Sequence, residues 1–235
     1  MAKFRYKVLR EFIHVQQYFD GIALEWRDLP PRFFKSLHGA LAERLNIQAS
    51  ELSANPSSRL SEVYARYNVY GGSSAVTLFA DRIAFDFPGI TGSDLPLIYE
   101  IMGAVHDNFP AAFPELKFGR AEVQDLCHFD LGSQDQVSAF FERFVFQSVS
   151  DSFKDYPSQI TFGPKFQVVS EDGRFRSSAF VESSALSSTA IFGSINSTLA
   201  MTEGSKPFLE KAQFMQSLTQ RCLNGLDLEI DNVTS

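Results

Sequence analysis

The sequence predicts an α+β protein built from two tandem βαβββα units, residues 1–114 and 115–235. Residues 9–14 read apolar, polar, acidic, apolar, apolar, histidine, and residues 123–128 repeat this pattern 114 positions later. Around each copy the apolar periodicities recur in one order: strand, helix, three strands, helix. A sheet and its helices each bury one apolar face, so we expect antiparallel sheets with the helices packed on one side.

The first unit opens with a strand predicted over residues 3–19. Apolar and cationic residues alternate at its start, and the alternation then slips, which predicts a bulge near residues 9–11. Pro30 and Pro31 predict the start of a helix over 31–46, because proline is tolerated in the first helical turn.

The rest of the first unit is predicted to be three strands and a helix. Residues 50–59 are interpreted as a connector, because they combine Pro56 with several serines. Ser93 and Asp94 are candidate caps for a helix over about 94–109. The three predicted strands cover residues 63–69, 75–80 and 83–87.

The second unit repeats this order. A strand is predicted from residue 116 to 131, and a helix from about residue 135. A hairpin turn is predicted at residues 171–173, which read Glu-Asp-Gly. The remaining elements are predicted strands near 158–169, 174–184 and 188–202, a helix over 206–223 and a short strand over 226–230.

Phenylalanine is abundant, with 24 residues, and predicts a phenylalanine-rich core between sheet and helices. An alternative is that some of these rings line a pocket or an interface. Helical periodicity predicts that seven apolar side chains pack against the sheet: Phe33, Leu37, Leu41, Phe140, Phe144, Phe208 and Met215.

The tandem arrangement resembles the helix-grip and TATA-binding-protein class of architectures. That resemblance implies a pseudo-two-fold axis and a continuous curved sheet with four helices on one side. Three stretches, residues 75–87, 95–109 and 119–129, also resemble a sporadically distributed family of bacterial proteins of similar length. That family typically reads Arg-Tyr-Ile-Asn where residues 123–128 stand here, and the resemblance implies no established activity.

Charge and composition narrow the possible partners. The net charge is −7, and residues 1–70 hold ten lysines and arginines against seven acids, so the remainder is strongly acidic. An acidic majority repels phosphate backbones, which argues against nucleic acid. The N-terminus lacks the apolar run of a signal peptide and no stretch is long enough to span a membrane, which predicts a cytoplasmic protein.

Four matched residues are candidates for a pocket or a pseudo-two-fold site: Glu11 and His14, and their counterparts Asp125 and His128. A pseudo-two-fold axis could bring the matched residues together. Residues three apart on a strand point to opposite faces, so one unit cannot form a carboxylate–histidine pair without a bulge. No metal-ligand spacing, cofactor loop or nucleotide motif is present, and buried free thiols are expected at Cys127 and Cys222.

Two stretches are candidate interfaces. Lys3, Arg5 and Lys7 form a basic row that is expected to solvate an edge strand or to dock an acidic partner. The hydroxyl-rich run 183–198, with Ser194 near its far end, is expected to offer a flat contact surface.

These observations favour a non-catalytic binding or assembly protein without cofactors, acting through a sheet face or edge on another protein or on itself. The alternative is a small-ligand-binding protein or enzyme with a phenylalanine-lined cavity between sheet and helices. A cavity of several hundred Å³ that reaches the four matched residues would favour the alternative.

Overall fold

The computed structural model describes residues 3–24, 28–45, 48–57, 59–69, 73–90, 94–145, 163–200 and 208–230. The first half of the described chain contains β1 (Phe4–Phe19), α1 (Leu29–Leu45), β2 (Leu52–Asn55), β3 (Tyr64–Val69), β4 (Ser74–Phe79), β5 (Arg82–Ile90) and α2 (Leu95–Ala112). The second half contains β6 (Phe118–Asp130), α3 (Gln134–Glu142), β7 (Lys165–Val169), β8 (Phe175–Ser183), β9 (Ala190–Ala200), α4 (Phe208–Gly225) and β10 (Leu228–Ile230).

The ten strands of the described residues belong to one sheet, in the order β2-β3-β4-β5-β1-β6-β9-β8-β7, with β10 beside β1. Neighbouring strands are antiparallel, except that β10 runs parallel to the start of β1. The predicted α+β class and antiparallel sheet are therefore confirmed. The connector predicted over 50–59 is wrong in part, because β2 pairs with β3 there.

The bulge predicted near residues 9–11 is confirmed. The register of β1 shifts between Val8 and Arg10 against β6, and between Glu11 and Phe12 against β5. As a result, even-numbered residues such as Tyr6 face the helices before the bulge, and odd-numbered residues such as Val15 face them after it.

The core consists of two apolar clusters on one face of the sheet. In the first, α1 and α2 cover β1 and β3–β5; in the second, α3 and α4 cover β6, β8 and β9. Of the predicted core residues, Phe33, Leu37, Leu41 and Phe140 are buried, and Phe144 is half-buried. The side chains of Phe208 and Met215 lie outside the described residues.

A glycine brings the second cluster close to the sheet backbone. A Cβ atom on Gly193 would lie 2.7 Å from Cε2 of Phe129. The Phe129 ring therefore packs directly on β9, and it meets the ring of Tyr6 edge-on at 4.8 Å between centroids.

The basic row Lys3, Arg5 and Lys7 does not lie on an edge strand, so that expectation is wrong. In the described part of the sheet, residues 4–6 of β1 pair with β10, β1 pairs with β6 from Lys7 onward, and the ends of the nine-strand path are β2 and β7. The basic row therefore belongs to a central strand of the sheet and not to one of its terminal strands.

We expect Phe140→Ala to lower the free energy of unfolding by about 3–5 kcal/mol, because a fully buried ring leaves a cavity. The Phe140 ring contacts the rings of Phe4, Phe141 and Phe144 at 5.2–5.5 Å between centroids. Urea unfolding measures the loss. Val168→Ala, at a side chain that is 48% exposed, is the control and should change stability little. Equal losses in both variants would show that α3 does not pack as described.

Candidate functional site

The sheet separates the four matched residues into two pairs on opposite faces. Glu11 and Asp125 point toward the helices, with Val15 and Cys127, whereas His14 and His128 point to the other face. We call that second face the open face, because none of the four described helices packs on it. Within each strand, the acid and the histidine three positions later therefore point to opposite faces, as the sequence predicts.

The two carboxylates do come together, because β1 and β6 are neighbours. Glu11 lies opposite Cys127 and Asp125 lies opposite Ile13, which makes the two acids diagonal neighbours on the helix-covered face. Their carboxyl groups are hydrogen-bonded to each other, and this bond requires a proton between them. We call these two residues the carboxyl pair.

Burial is the main cause of the raised pKa values of the carboxyl pair. It raises the pKa of both groups above the ordinary carboxyl range, and the charge of Asp125 raises the pKa of Glu11 further. The Thr219 side chain hydrogen-bonds Asp125 and acts against this shift. Oδ1 of Asp125 is buried and has no hydrogen-bond partner in the described part of the chain. The pair is therefore held in a partly neutral state.

The groups around the carboxyl pair are kept neutral for the same reason. Burial, and after it the nearby carboxylates, raises the pKa of Tyr99 to about 12. Burial likewise raises the pKa of the Cys127 thiol, so that thiol is not an activated nucleophile. Above the pair, α2 and α4 are joined by a hydrogen bond of 2.7 Å from the Tyr99 hydroxyl to Oε1 of Gln216.

On the open face, His14 belongs to a continuous chain of hydrogen bonds. Nδ1 of His14 lies 2.6 Å from Oδ1 of Asp86, and Nε2 of His14 lies 2.7 Å from Nε2 of Gln16. The Tyr18 hydroxyl donates to Oε1 of Gln16 at 2.6 Å. We call Asp86, His14, Gln16 and Tyr18 the His14 chain. Because both imidazole nitrogens are engaged, His14 does not present a free nitrogen to a substrate.

Arginines stack around the far end of the His14 chain. The guanidinium carbon of Arg120 lies 4.4 Å from the centroid of the Tyr18 ring, and that of Arg82 lies 4.3 Å from the centroid of Phe79. Arg120 also forms an ion pair with Glu122, whose Oε2 is 3.3 Å from the Tyr18 hydroxyl. Alternating rings and guanidinium groups thus cross several neighbouring strands.

His128 has different partners and does not meet His14. Its Nδ1 lies 2.8 Å from the Ser184 hydroxyl and its ring packs against Phe192. His128 lies opposite Arg10, whereas His14 lies opposite Gln124, so four positions along β1 separate the histidines. Burial, followed by the charge of Arg10, lowers the pKa of His128.

The residues predicted as interfaces share the open face. Lys3, Arg5 and Lys7 lie on this face before the bulge of β1. Ser194 of β9 also lies on it, opposite Leu126 of β6. The hydroxyl run is not uniformly exposed, because Ser197 points to the helix side and is hydrogen-bonded to Ser177 at 2.9 Å.

Sequence reasoning missed Asp86, Tyr18, Arg82 and Arg120. The period-two spacing of His14, Gln16 and Tyr18 was an available signal that these polar side chains share a face. No local signal could indicate Asp86, because its proximity to His14 depends on the register between β1 and β5.

A cavity of about 850 Å³ lies between β7, β8 and the helices, and Phe144, Phe166 and Phe175 are among its lining residues. None of the four matched residues is among those described as lining it. A smaller hollow of about 170 Å³ lies on the open face beside His14. No cluster of three or more metal-ligating side chains occurs within the described ranges, and no described helix is long and apolar enough to cross a bilayer.

No protein-family model and no curated protein matches this chain. Among solved structures, the chain is similar to a rolling circle replication initiator protein from Geobacillus stearothermophilus. The match covers 93% of this chain and 84% of that chain, at 11% sequence identity and a TM-score of 0.36. At this level the likeness carries no argument about function.

We expect Glu11→Gln to stabilise the protein increasingly as pH rises. Below about pH 4 the carboxyls are protonated in both states, and above it the unfolded chain ionises while the folded pair retains its proton. The free energy of unfolding of the natural protein therefore falls with rising pH until the folded pair ionises. A neutral amide at position 11 removes the part of this loss that Glu11 contributes, whereas burial still raises the pKa of Asp125.

Urea unfolding at about pH 5 and about pH 8.5 measures the effect. Glu182→Gln, which removes an acid from the open face, is the matched control and should leave the pH profile unchanged. Parallel pH profiles for the natural protein and Glu11→Gln would contradict the shared proton.

Proposed function

We propose that this protein is a non-catalytic binding protein that engages an acidic partner protein through the open face. One observation carries the proposal: basic side chains outnumber acidic ones on the described open face, although the whole chain has a net charge of −7. By strand alternation and register, the basic residues on this face are Lys3, Arg5, Lys7, Arg10, Arg66, Arg82, Arg120, Lys165 and Arg176. The acidic residues are Asp86, Glu122, Asp130, Glu182 and Glu229.

The arrangement of these charges favours a protein over a nucleic acid. Acids lie among the arginines at the centre of the face, where Arg120 is paired with Glu122, so no uninterrupted basic track follows a phosphate backbone. Tyrosine and arginine side chains, by contrast, are the residue types enriched at the energetic centres of protein interfaces. Tyr18, flanked by Arg82 and Arg120, is such a centre.

The His14 chain supports a binding role rather than a catalytic one. Its hydrogen bonds hold Tyr18 and Gln16 in one conformation before a partner arrives, which lowers the entropy lost on association. Both nitrogens of His14 are engaged, and the buried thiol of Cys127 faces away from the open face.

The partner can also be a second copy of the chain. Residues 71–235 carry a large excess of acids, so an acidic surface of one copy is complementary to the open face of another. Such a contact joins two different surfaces, and mass measurement detects it directly.

We also propose that the two halves are copies of one βαβββα unit, in a helix-grip or TATA-binding-protein-like arrangement. Residues 114 apart are equivalent in the sequence repeat, and Phe12 lies opposite Leu126, its equivalent, in the β1–β6 ladder. A two-fold axis through this pair exchanges Glu11 with Asp125. The strand order is also symmetrical about β1 and β6, with β5-β4-β3 on one side and β9-β8-β7 on the other.

Superposition of residues 4–109 on residues 118–223 in a crystal structure tests this proposal.

We expect the double variant Arg120→Glu, Arg176→Glu to weaken binding of a labelled peptide of about ten aspartates by at least roughly tenfold, because both side chains lie on the open face. Raising the salt concentration from about 50 mM to about 500 mM should have a similar effect on the natural protein. Fluorescence anisotropy measures both changes.

Lys35→Glu is the matched control, because Lys35 is exposed on α1, on the helix side. Equal weakening by the control would contradict a role for the open face. Tighter binding of an oligothymidylate of equal charge than of the peptide would contradict a protein partner.

If the partner is a second copy, Ser194→Trp should reduce the mass in solution to that of one 26.3 kDa chain, because the indole covers the face beside Leu126 and Phe180. Light scattering at low and high salt measures this mass. A natural protein that is monomeric at every concentration and salt level would exclude self-association and leave a different protein as the partner.

A further inference from the structure

We propose that the His14 chain is a proton-linked switch that strengthens binding of the acidic partner when His14 is protonated. This inference rests on the proposed function of the open face and adds how that face is regulated. The chemical groups at the two ends of the His14 chain determine the directions of its hydrogen bonds.

The neutral state of the chain has one consistent arrangement. The carboxylate of Asp86 only accepts, so Nδ1 of His14 carries a hydrogen and donates to it. Nε2 of His14 then holds a lone pair and accepts from the amide nitrogen of Gln16. Oε1 of Gln16 accepts from the Tyr18 hydroxyl. Every donor along the chain thus points toward Asp86.

Protonation of His14 reverses the directions of two hydrogen bonds, the one between His14 and Gln16 and the one between Gln16 and Tyr18. Nε2 of the imidazolium carries a hydrogen and would face the amide hydrogens of Gln16, so the Gln16 amide must turn to present its oxygen. The amide nitrogen then faces the Tyr18 hydroxyl, which has to accept instead of donate. The hydroxyl hydrogen of Tyr18 is thereby released to Oε2 of Glu122, which lies 3.3 Å away.

The charges that face His14 determine the effect on binding. Asp86 on β5 and Glu122 on β6 are the nearby acids, and Arg82 and Arg120 are the nearby bases from the same strands. A cationic imidazole offsets one acid, and the Tyr18 hydroxyl engages the carboxylate that is paired with Arg120. The positive potential presented to an acidic partner therefore increases at the centre of the face.

The switch is within reach of a partner. The side chains of His14 and Asp86 are 21% and 30% exposed, and His14 borders the hollow of about 170 Å³ that Gln124, Asn196 and Thr198 also line. By linkage, a partner that binds the protonated state more tightly also raises the proton affinity of His14. Affinity for the partner therefore rises with the fraction of protein in which His14 is protonated.

The test has two independent readouts. Nitrogen-15 NMR of histidine-labelled protein reports the tautomer without any partner. We expect the neutral His14 ring to carry its hydrogen on Nδ1 in the natural protein, and to lose this preference in Asp86→Ala, which removes the acceptor that holds the hydrogen there. A neutral ring protonated on Nε2 would overturn the inference, whatever the outcome of the binding experiments.

The second readout is the affinity for the aspartate peptide. We expect binding to be at least roughly fivefold tighter at about pH 5.5 than at about pH 8 for the natural protein and for the control His38→Gln, whose side chain is exposed on α1 on the helix side. His14→Gln should lose the pH dependence. A pH dependence that survives in His14→Gln would overturn the switch. Absence of binding at either pH would overturn the proposed function, and the NMR result would still test the hydrogen-bond directions of the His14 chain.

Discussion

The antiparallel pairing of β1 with β6 is the interaction on which the rest of the structure depends. These two long strands lie at the centre of the sheet and join the two halves of the chain through backbone hydrogen bonds. A shift of one residue would move every side chain of one strand to the opposite face. The register therefore decides at once which residues enter the core, which acids meet and which polar side chains reach the open face.

The carboxyl pair marks the place where the two apolar clusters meet. Phenylalanine-rich packing on either side removes water, and two buried carboxylates without a proton would repel each other at considerable cost. A shared proton and the Thr219 hydrogen bond reduce this cost. The pair thus places polar groups beneath Tyr99 of α2 and Thr219 of α4, where these two helices approach each other.

The side chains on the two faces of the sheet are stabilised by different interactions. On the helix side, Gly193 lets the Phe129 ring pack on the backbone, and burial keeps the Cys127 thiol unreactive. On the open face, polar and aromatic side chains hydrogen-bond one another along the strands, and no described helix covers them. This order supports the binding role that we propose for the open face, because ordered side chains lose less entropy on association.

The sequence by itself determined the elements whose signals are local. Helical and strand periodicities located α1, α2 and most strands, the slip in alternation indicated the bulge of β1, and parity placed Glu11 and His14 on opposite faces. It did not indicate β2, which is a strand because β3 offers it hydrogen-bond partners. It placed Lys3, Arg5 and Lys7 on an edge, because alternation is the same in edge and interior strands. The meeting of Glu11 with Asp125, and of His14 with Asp86, was decided only by tertiary structure, because strand order and register arise from contacts between distant segments that leave no trace in local sequence.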